Sequence, residues 1–288
     1  MNDARHDAAV FRLLSTAVLL WVGSLISFPA LPAAPTIEFV AHRGASFDAP
    51  ENTLAAMKMA WEQGADAIEL DLWLSKDGKI VVCHDADTGR TAGVKRKIAE
   101  QTWAELQQLD VGAWKAPRFK GERIPTLEAI LGTIPPGKRA VLEIKCGPEI
   151  LPALEGCLKE SRRRPEEMAI ISFNYEALRQ SKQRLPQHAH YFLHSYKPDT
   201  KTGRLPELSD LIRRAREAGF DGLDLHYDWP ITSAFVEQVR AAGLELLVWT
   251  VDDPAVARRL VTAGVRSLTT NRPQWLRQQL QKSAPEPR

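Results

Sequence analysis

Cysteine is scarce in this chain, with three in 288 residues. Cys83, Cys146 and Cys157 form no CxxC pair and no Cys/His spacing that would read as zinc, and their odd number leaves at least one thiol unpaired within the chain. Cys83 alternates to the face of its strand opposite His84 and reads as packing. A charge excess of one sign is also missing. The net charge of +2 gives no case for nucleic acid or for an anionic membrane surface, and clusters such as Lys95-Arg96-Lys97 and Arg162-Arg163-Arg164 read as solvated faces. A membrane-length apolar run is lacking too, because residues 13–28 supply roughly 16 where a span needs ~20. That run follows Arg5, His6 and Arg12 and precedes Pro29-Ala30-Leu31-Pro32-Ala33-Ala34-Pro35, the layout of an export signal. Residues 1–35 are therefore expected to be a signal peptide or N-terminal anchor, and the protein to be exported, periplasmic or extracellular. Cleavage after Ala33 or Ala34 would leave Leu31 or Pro32 at the third position back. An uncleaved anchor thus stays open as the one route to a membrane.

What remains has the composition of a folded soluble enzyme, 44% hydrophobic and 26% charged, and enough length for one large core or two small ones. Strand-like runs fall at 37–41, 67–74, 79–84, 139–145, 168–173, 189–193, 221–225, 244–251 and 266–269. Amphipathic stretches at 51–63, 149–161, 174–185, 208–218, 231–242, 253–263 and 273–282 lie mostly between them. This alternation predicts a parallel sheet covered by helices. Nine runs are one too many for an eight-stranded barrel. Only Lys76-Asp77-Gly78 separates the second from the third, too short for a parallel crossover, and Asp77-Gly78 is a hairpin signal. The expectation is an α/β fold: a TIM-type (β/α)8 barrel with one extra antiparallel hairpin strand, spanning 36–282. A two-residue Asp77-Gly78 turn pairs residues whose numbers sum to 155, which sets Asp71 against His84. Residues 85–125 lack βα periodicity and read as a small insertion capping the barrel mouth, with no core of its own. Residues 283–288 read as a frayed tail.

The chemistry-bearing residues fall at strand C-termini, where such barrels place their sites. Glu69 and Asp71 are two apart and share a face; Glu143 and Lys145 repeat that geometry on the next parallel strand. Three converging carboxylates repel unless a cation sits among them, and an all-oxygen set suits one hard divalent ion, Mg2+ or Ca2+. The plainer alternative is that Glu69 or Glu143 answers Arg43 and Lys145 in structural ion pairs. Arg43 can offer a planar fork to phosphate oxygens and Lys145 a point charge. His42 and His84 could move protons near neutral pH. His188, His190, His194 and His226 read as structural, with His226 at a strand end an outside candidate for a substrate pocket.

His42-Arg43-Gly44, Pro50-Glu51-Asn52-Thr53, Glu69-Leu70-Asp71, Lys76-Asp77-Gly78, His84-Asp85, Ile124-Pro125-Thr126-Leu127, Glu143-Ile144-Lys145 and Trp249-Thr250-Val251 occur in that order from about residue 37 to Pro273. Together they resemble the glycerophosphodiester phosphodiesterase family. The resemblance implies a TIM-type barrel and metal-dependent hydrolysis of glycerophosphodiesters to glycerol 3-phosphate and an alcohol. By motif it implies Glu69, Asp71 and Glu143 as metal ligands, His42 and His84 as acid/base groups, and Arg43 and Lys145 as phosphate-binding residues. Glu51 matches the supporting residue of the first loop, and Trp249 a position lining the pocket. Two departures stand out. After His84-Asp85 the family commonly shows a leucine and then Arg-Thr-Thr, where this chain reads Ala86-Asp87-Thr88-Gly89-Arg90-Thr91-Ala92. Near the end it often shows Thr-Asp-Arg-Pro, where this chain has Thr270-Asn271-Arg272-Pro273. Neither is expected to touch the catalytic set. Two rivals share the fold: a lysophospholipase D-type enzyme, favoured by an apolar mouth of Trp103, Trp114 and Phe119, and a catalytically silent phosphodiester-binding barrel. A sugar-processing barrel fits less well, because paired carboxylates would leave the His-Arg-Gly and hairpin His-Asp without a purpose.

Overall fold

The computed structural model describes residues 36–282. The expected export segment at 1–35 and the tail at 283–288 lie outside the described residues. Nine strands follow in chain order: β1 (Glu38–Ala41), β2 (Ala67–Leu74), β3 (Ile80–Val82), β4 (Arg139–Ile144), β5 (Met168–Ser172), β6 (Ala189–His194), β7 (Gly222–His226), β8 (Glu245–Trp249) and β9 (Ser267–Thr270). All but β3 pair in parallel, and β1 bonds to both β2 and β9, closing an eight-stranded barrel. β3 pairs antiparallel on β2, outside the ring.

Strand alternation explains the two apolar layers. Val40, Ala67, Val141, Ala169, Ile171, Tyr191, Leu193 and Leu247 cluster inside the barrel. Their neighbours, among them Ile68, Leu70, Leu142, Ile170, Leu223 and Val248, pack outward against the helices. Those helices span Leu54–Glu62, Leu151–Glu160, Tyr175–Arg184, Leu208–Ala218, Ser233–Ala241, Pro254–Ala263 and Pro273–Gln281. Side chains of Thr53, Asn174, Thr232 and Asp253 cap four of them by accepting first-turn N–H bonds. A further helix, Leu127–Leu131, leads into β4; five residues are too few to show helical periodicity in the sequence. No helix among the described residues is long and apolar enough to cross a membrane.

Two expectations fail here. The hairpin register is shifted by one: Leu72 pairs Val82 and Leu74 pairs Ile80, and the Cys83 N–H donates to the Asp71 carbonyl at 3.0 Å. Asp71 therefore lies opposite Cys83, not His84. The cause is a three-residue turn. Ser75 N–H donates to the Lys79 carbonyl at 2.9 Å, and Gly78 takes a left-handed φ of 80°, which centres the hairpin on Asp77. The insertion also has an apolar centre. Ile98, Leu106, Val111 and Ile124 bury against Val81 and Cys83 of the hairpin, with Trp73, Trp103 and Leu109 beside them. Its apolar residues are too widely spaced for periodicity to show them, and Trp73, Val81 and Cys83 of the cluster come from the hairpin.

Candidate active site at the barrel mouth

The loop after β1 turns back at once: Gly44 N–H donates to the Ala41 carbonyl at 3.1 Å. Gly44 has φ of 78°, and a Cβ there would fall 2.6 Å from the Ala56 carbonyl carbon. Arg43 itself is left-handed, with φ of 55°, a conformation that costs a non-glycine residue about 1–3 kcal/mol and persists only where its surroundings fix it. Its N–H donates to Glu69 Oε2 at 2.9 Å, and its carbonyl accepts from Asn52 N–H at 3.0 Å. The strained turn aims the guanidinium at Glu51 Oε1 (3.0 Å) and Asp71 Oδ2 (3.3 Å). Asn52, left-handed as well, donates from Nδ2 to Asp71 Oδ2 at 2.7 Å.

β2 and β4 pair Asp71 directly with Glu143, which puts both carboxylates on the inner face with Glu69 below them. One oxygen from each of Glu69, Asp71 and Glu143 lies within 4.8 Å of the others, and all three residues are buried. Lys145 Nζ lies 2.9 Å from Glu143 Oε1 and 3.3 Å from Asp71 Oδ1. Asp71 Oδ1, although buried, accepts no hydrogen bond. His84 reaches the cavity because the chain leaves strand pairing after Val82; Trp73 Nε1 donates to its carbonyl at 3.3 Å. Its Nδ1 lies 2.8 Å from Asp85 Oδ1. Arg90, in the loop that departs from the family pattern, bonds both Asp85 (2.6 Å) and Glu51 (2.7 Å). An ion-pair chain thus joins His84, Asp85, Arg90, Glu51, Arg43 and Asp71.

The charges do not balance. Five carboxylates (Glu51, Glu69, Asp71, Asp85, Glu143) face three cations (Arg43, Arg90, Lys145), which leaves two negative charges when every group is ionised. Without a further cation the cluster holds protons instead. Burial and the Asp71 charge push Glu143 up to about 8, and burial with Asp71 and Glu143 drives Glu69 well above the usual carboxylate range. Asp71 alone stays low, because Lys145 and Arg43 outweigh its burial. A buried, all-oxygen triad with a bare acceptor atom and two surplus charges fits a hard divalent ion.

His42 is placed from the neighbouring strand on the other side of β1 from β2. Its Nδ1 lies 2.7 Å from Asn271 Oδ1, just past β9, and its Nε2 faces Glu69 Oε2 at 4.0 Å. The Thr270-Asn271-Arg272-Pro273 segment therefore meets one of the two histidines proposed from sequence, where it was expected to stay clear of both. Burial first, and then the Arg43 cation, lower His42 to about 4, while burial lowers His84 with Asp71 opposing. The His42 ring is therefore neutral at pH 7.

His42, Arg43, Glu69, His84, Glu143 and Lys145 line one side of a cavity of about 60 Å³. Ile171, Phe173, Leu193, Asp224, Trp249 and Thr269 line the other. Phe173 packs edge-on against Trp249, their centroids 5.6 Å apart. Trp249 Nε1 donates to the Asp224 carbonyl at 3.2 Å, and His226 packs behind the indole at 4.8 Å. Asp224 is 2% exposed, its Oδ1 has no hydrogen bond, and burial raises it far above an ordinary aspartate. Sequence reasoning missed Asn52, Arg90, Asp224 and Asn271. Asn52 stood inside a quoted motif, and Arg90 follows His84-Asp85 at short range. Asp224 is a lone acid in the apolar run Leu223-Asp224-Leu225. Trp103, Trp114 and Phe119 do not line the cavity: Trp103 packs on the insertion cluster, and the Arg118 guanidinium covers the Phe119 ring at 4.7 Å.

A parallel barrel with histidines, cations and a carboxylate triad at its C-terminal mouth defines a phosphoric diester hydrolase. The glycerophosphoryl diester phosphodiesterase family model matches residues 42–275, and the chain belongs to that family. It is 34% identical over 242 residues to a glycerophosphodiester phosphodiesterase of Caldanaerobacter subterraneus, covering 82% of this chain and 95% of the relative. A Bacillus subtilis glycerophosphodiester phosphodiesterase is 31% identical over 262 residues, covering 81% and 83%. Among solved structures, an Oleispira antarctica phosphodiesterase in complex with the product sn-glycerol-3-phosphate is 31% identical with a TM-score of 0.76, covering 85% of this chain and 96% of that one.

Proposed function

We propose that this protein hydrolyses glycerophosphodiesters to glycerol 3-phosphate and an alcohol. The observation that carries the reading is the placement of His42 and His84 in one cavity with the Glu69/Asp71/Glu143 triad and two phosphate-sized cations, Arg43 and Lys145. The product held by the Oleispira antarctica relative supports the substrate class. A divalent ion held by Glu69, Asp71 and Glu143, Mg2+ or Ca2+, would neutralise phosphate charge and act as a Lewis acid. Arg43 and Lys145 offset the charge that grows on the phosphoryl oxygens. His42, neutral and with Nε2 turned to the cavity, takes the proton of the attacking hydroxyl. The phosphorus–oxygen bond to the leaving alcohol breaks as the new one forms, and His84, entering the step as the imidazolium with Asp85 on its Nδ1, gives its proton to that alcohol. The roles exchange if a cyclic phosphate forms first. Trp249 offers an apolar face to the glycerol or headgroup carbons. Glu51 holds Arg43 in place.

His42→Ala and His84→Ala should each lower kcat by at least ~100-fold with folding intact, measured on glycerophosphocholine with the divalent ion supplied. Retained turnover in either variant removes that residue from the reaction. The lysophospholipid alternative draws less support, because Trp103, Trp114 and Phe119 do not line the cavity. Comparable turnover of lysophosphatidylcholine would reinstate it, and no turnover of any phosphodiester would leave a silent binding barrel. The basic, apolar and Pro/Ala-rich order of residues 1–35 supports export, which fractionation of the expressing cell would check.

A further inference from the structure

We infer that Asn271, itself oriented by Asp252, is a positioning residue that fixes the tautomer and direction of the His42 ring. The inference rests on the proposed acid/base role of His42, and on a chain of hydrogen bonds across the β1/β9 seam. Asn271 Nδ2 lies 2.5 Å from Asp252 Oδ2, and a carboxylate there can only accept, so the amide nitrogen points to Asp252 and the amide oxygen to His42. Asp252 is held in turn: its Oδ1 accepts from Asn271 N–H at 2.9 Å and from Thr270 Oγ1 at 2.8 Å. Ser46 Oγ donates to Asn271 Oδ1 at 2.7 Å, which completes the amide's bonding. The amide oxygen is an acceptor only, so the neutral imidazole must carry its proton on Nδ1. Nε2 is then the bare nitrogen, facing the cavity beside Glu69. The main chain beneath the ring is held at the same seam, because the His42 backbone N–H donates to the Thr270 carbonyl at 2.9 Å, one residue before Asn271.

The amide is not interchangeable with an aspartate. Asn271→Asp alone would face a carboxylate with a carboxylate at 2.5 Å and force a proton between them. Exchanging the two residues, Asn271→Asp with Asp252→Asn, restores one donor and one acceptor at that contact and keeps an acceptor on His42 Nδ1.

The test pairs kinetics with the 15N shifts of His42 in the metal-free full-length protein at pH 7. In the parent protein Nδ1 should be protonated and Nε2 bare. Asn271→Leu should lower kcat by about 10–100-fold with KM within about twofold, and should convert the His42 signals to a tautomer mixture, as loss of an orienting partner does elsewhere. The exchanged double variant should recover the parent tautomer and most of kcat. Unchanged tautomer in Asn271→Leu overturns the inference, whatever its kcat. If that variant does not fold, the double variant decides, and a folded double variant with the other tautomer overturns it. Full turnover in His42→Ala would instead overturn the proposed role of His42, which separates the two failures.

Discussion

Arg43 occupies its left-handed turn because Gly44 lets the chain pass Ala56 at a distance no side chain tolerates. Gly44→Ala combines overpacking with an unfavourable φ, and should destabilise the fold by about 2–5 kcal/mol in urea unfolding. A buried imidazole remote from the chemistry gives a second measurable effect. His190 is fully buried, bonded to Ser181 Oγ and to the His188 carbonyl, and burial lowers it to about 4. Its ordinary value is 6.5, so between pH 6.5 and 4 the unfolded chain binds a proton that the folded protein refuses. Stability is complete above pH 6.5 and falls as pH drops towards 4, by up to roughly 3 kcal/mol from this residue. Denaturation midpoints across that range should flatten in His190→Gln. Asp224 is shifted the other way: burial raises its carboxyl far above an ordinary aspartate, and the residue lines the cavity at the barrel mouth.

At the scale of elements, Thr53 links helix geometry to the site, since it caps Leu54–Glu62 and follows the Asn52 that holds Asp71. Thr53→Ala should cost about 1 kcal/mol of stability, read as a shift in thermal midpoint. It should also weaken divalent-ion binding, because Asn52 loses its anchored neighbour. The elements themselves were legible in the sequence: all nine strands and all seven long helices stand where period-two and helical spacing put them. The hairpin register was not, because Asp77-Gly78 satisfies a two-residue turn and a three-residue turn alike, and only the closing bond from Ser75 N–H to the Lys79 carbonyl separates them. The convergence of Glu69, Asp71 and Glu143 was readable because two-residue spacing on paired strands decides which side chains meet. Asn271 was not, because the partner that gives it meaning lies 229 positions earlier. No local pattern records a contact made by closing a ring.

For the whole molecule, the surplus of two negative charges would tie folding to a divalent ion held by Glu69, Asp71 and Glu143. Saturation at a hundred times the dissociation constant should add about 2.7 kcal/mol, so chelation should lower the melting temperature as well as abolish turnover. Protons on Glu143 and Glu69 compete with the cation, so affinity should strengthen from pH 6 to 8.5, and calorimetry in buffers of different ionisation enthalpy should show protons released on loading. The seam between β1 and β9 has a consequence for how the protein comes into being. His42 is among the first barrel residues made, and the amide that orients it is among the last. During synthesis every carboxylate and both histidines are therefore present long before the first histidine has its partner. A nascent chain should stay silent until the final strand slots in, so the appearance of turnover would time barrel completion itself.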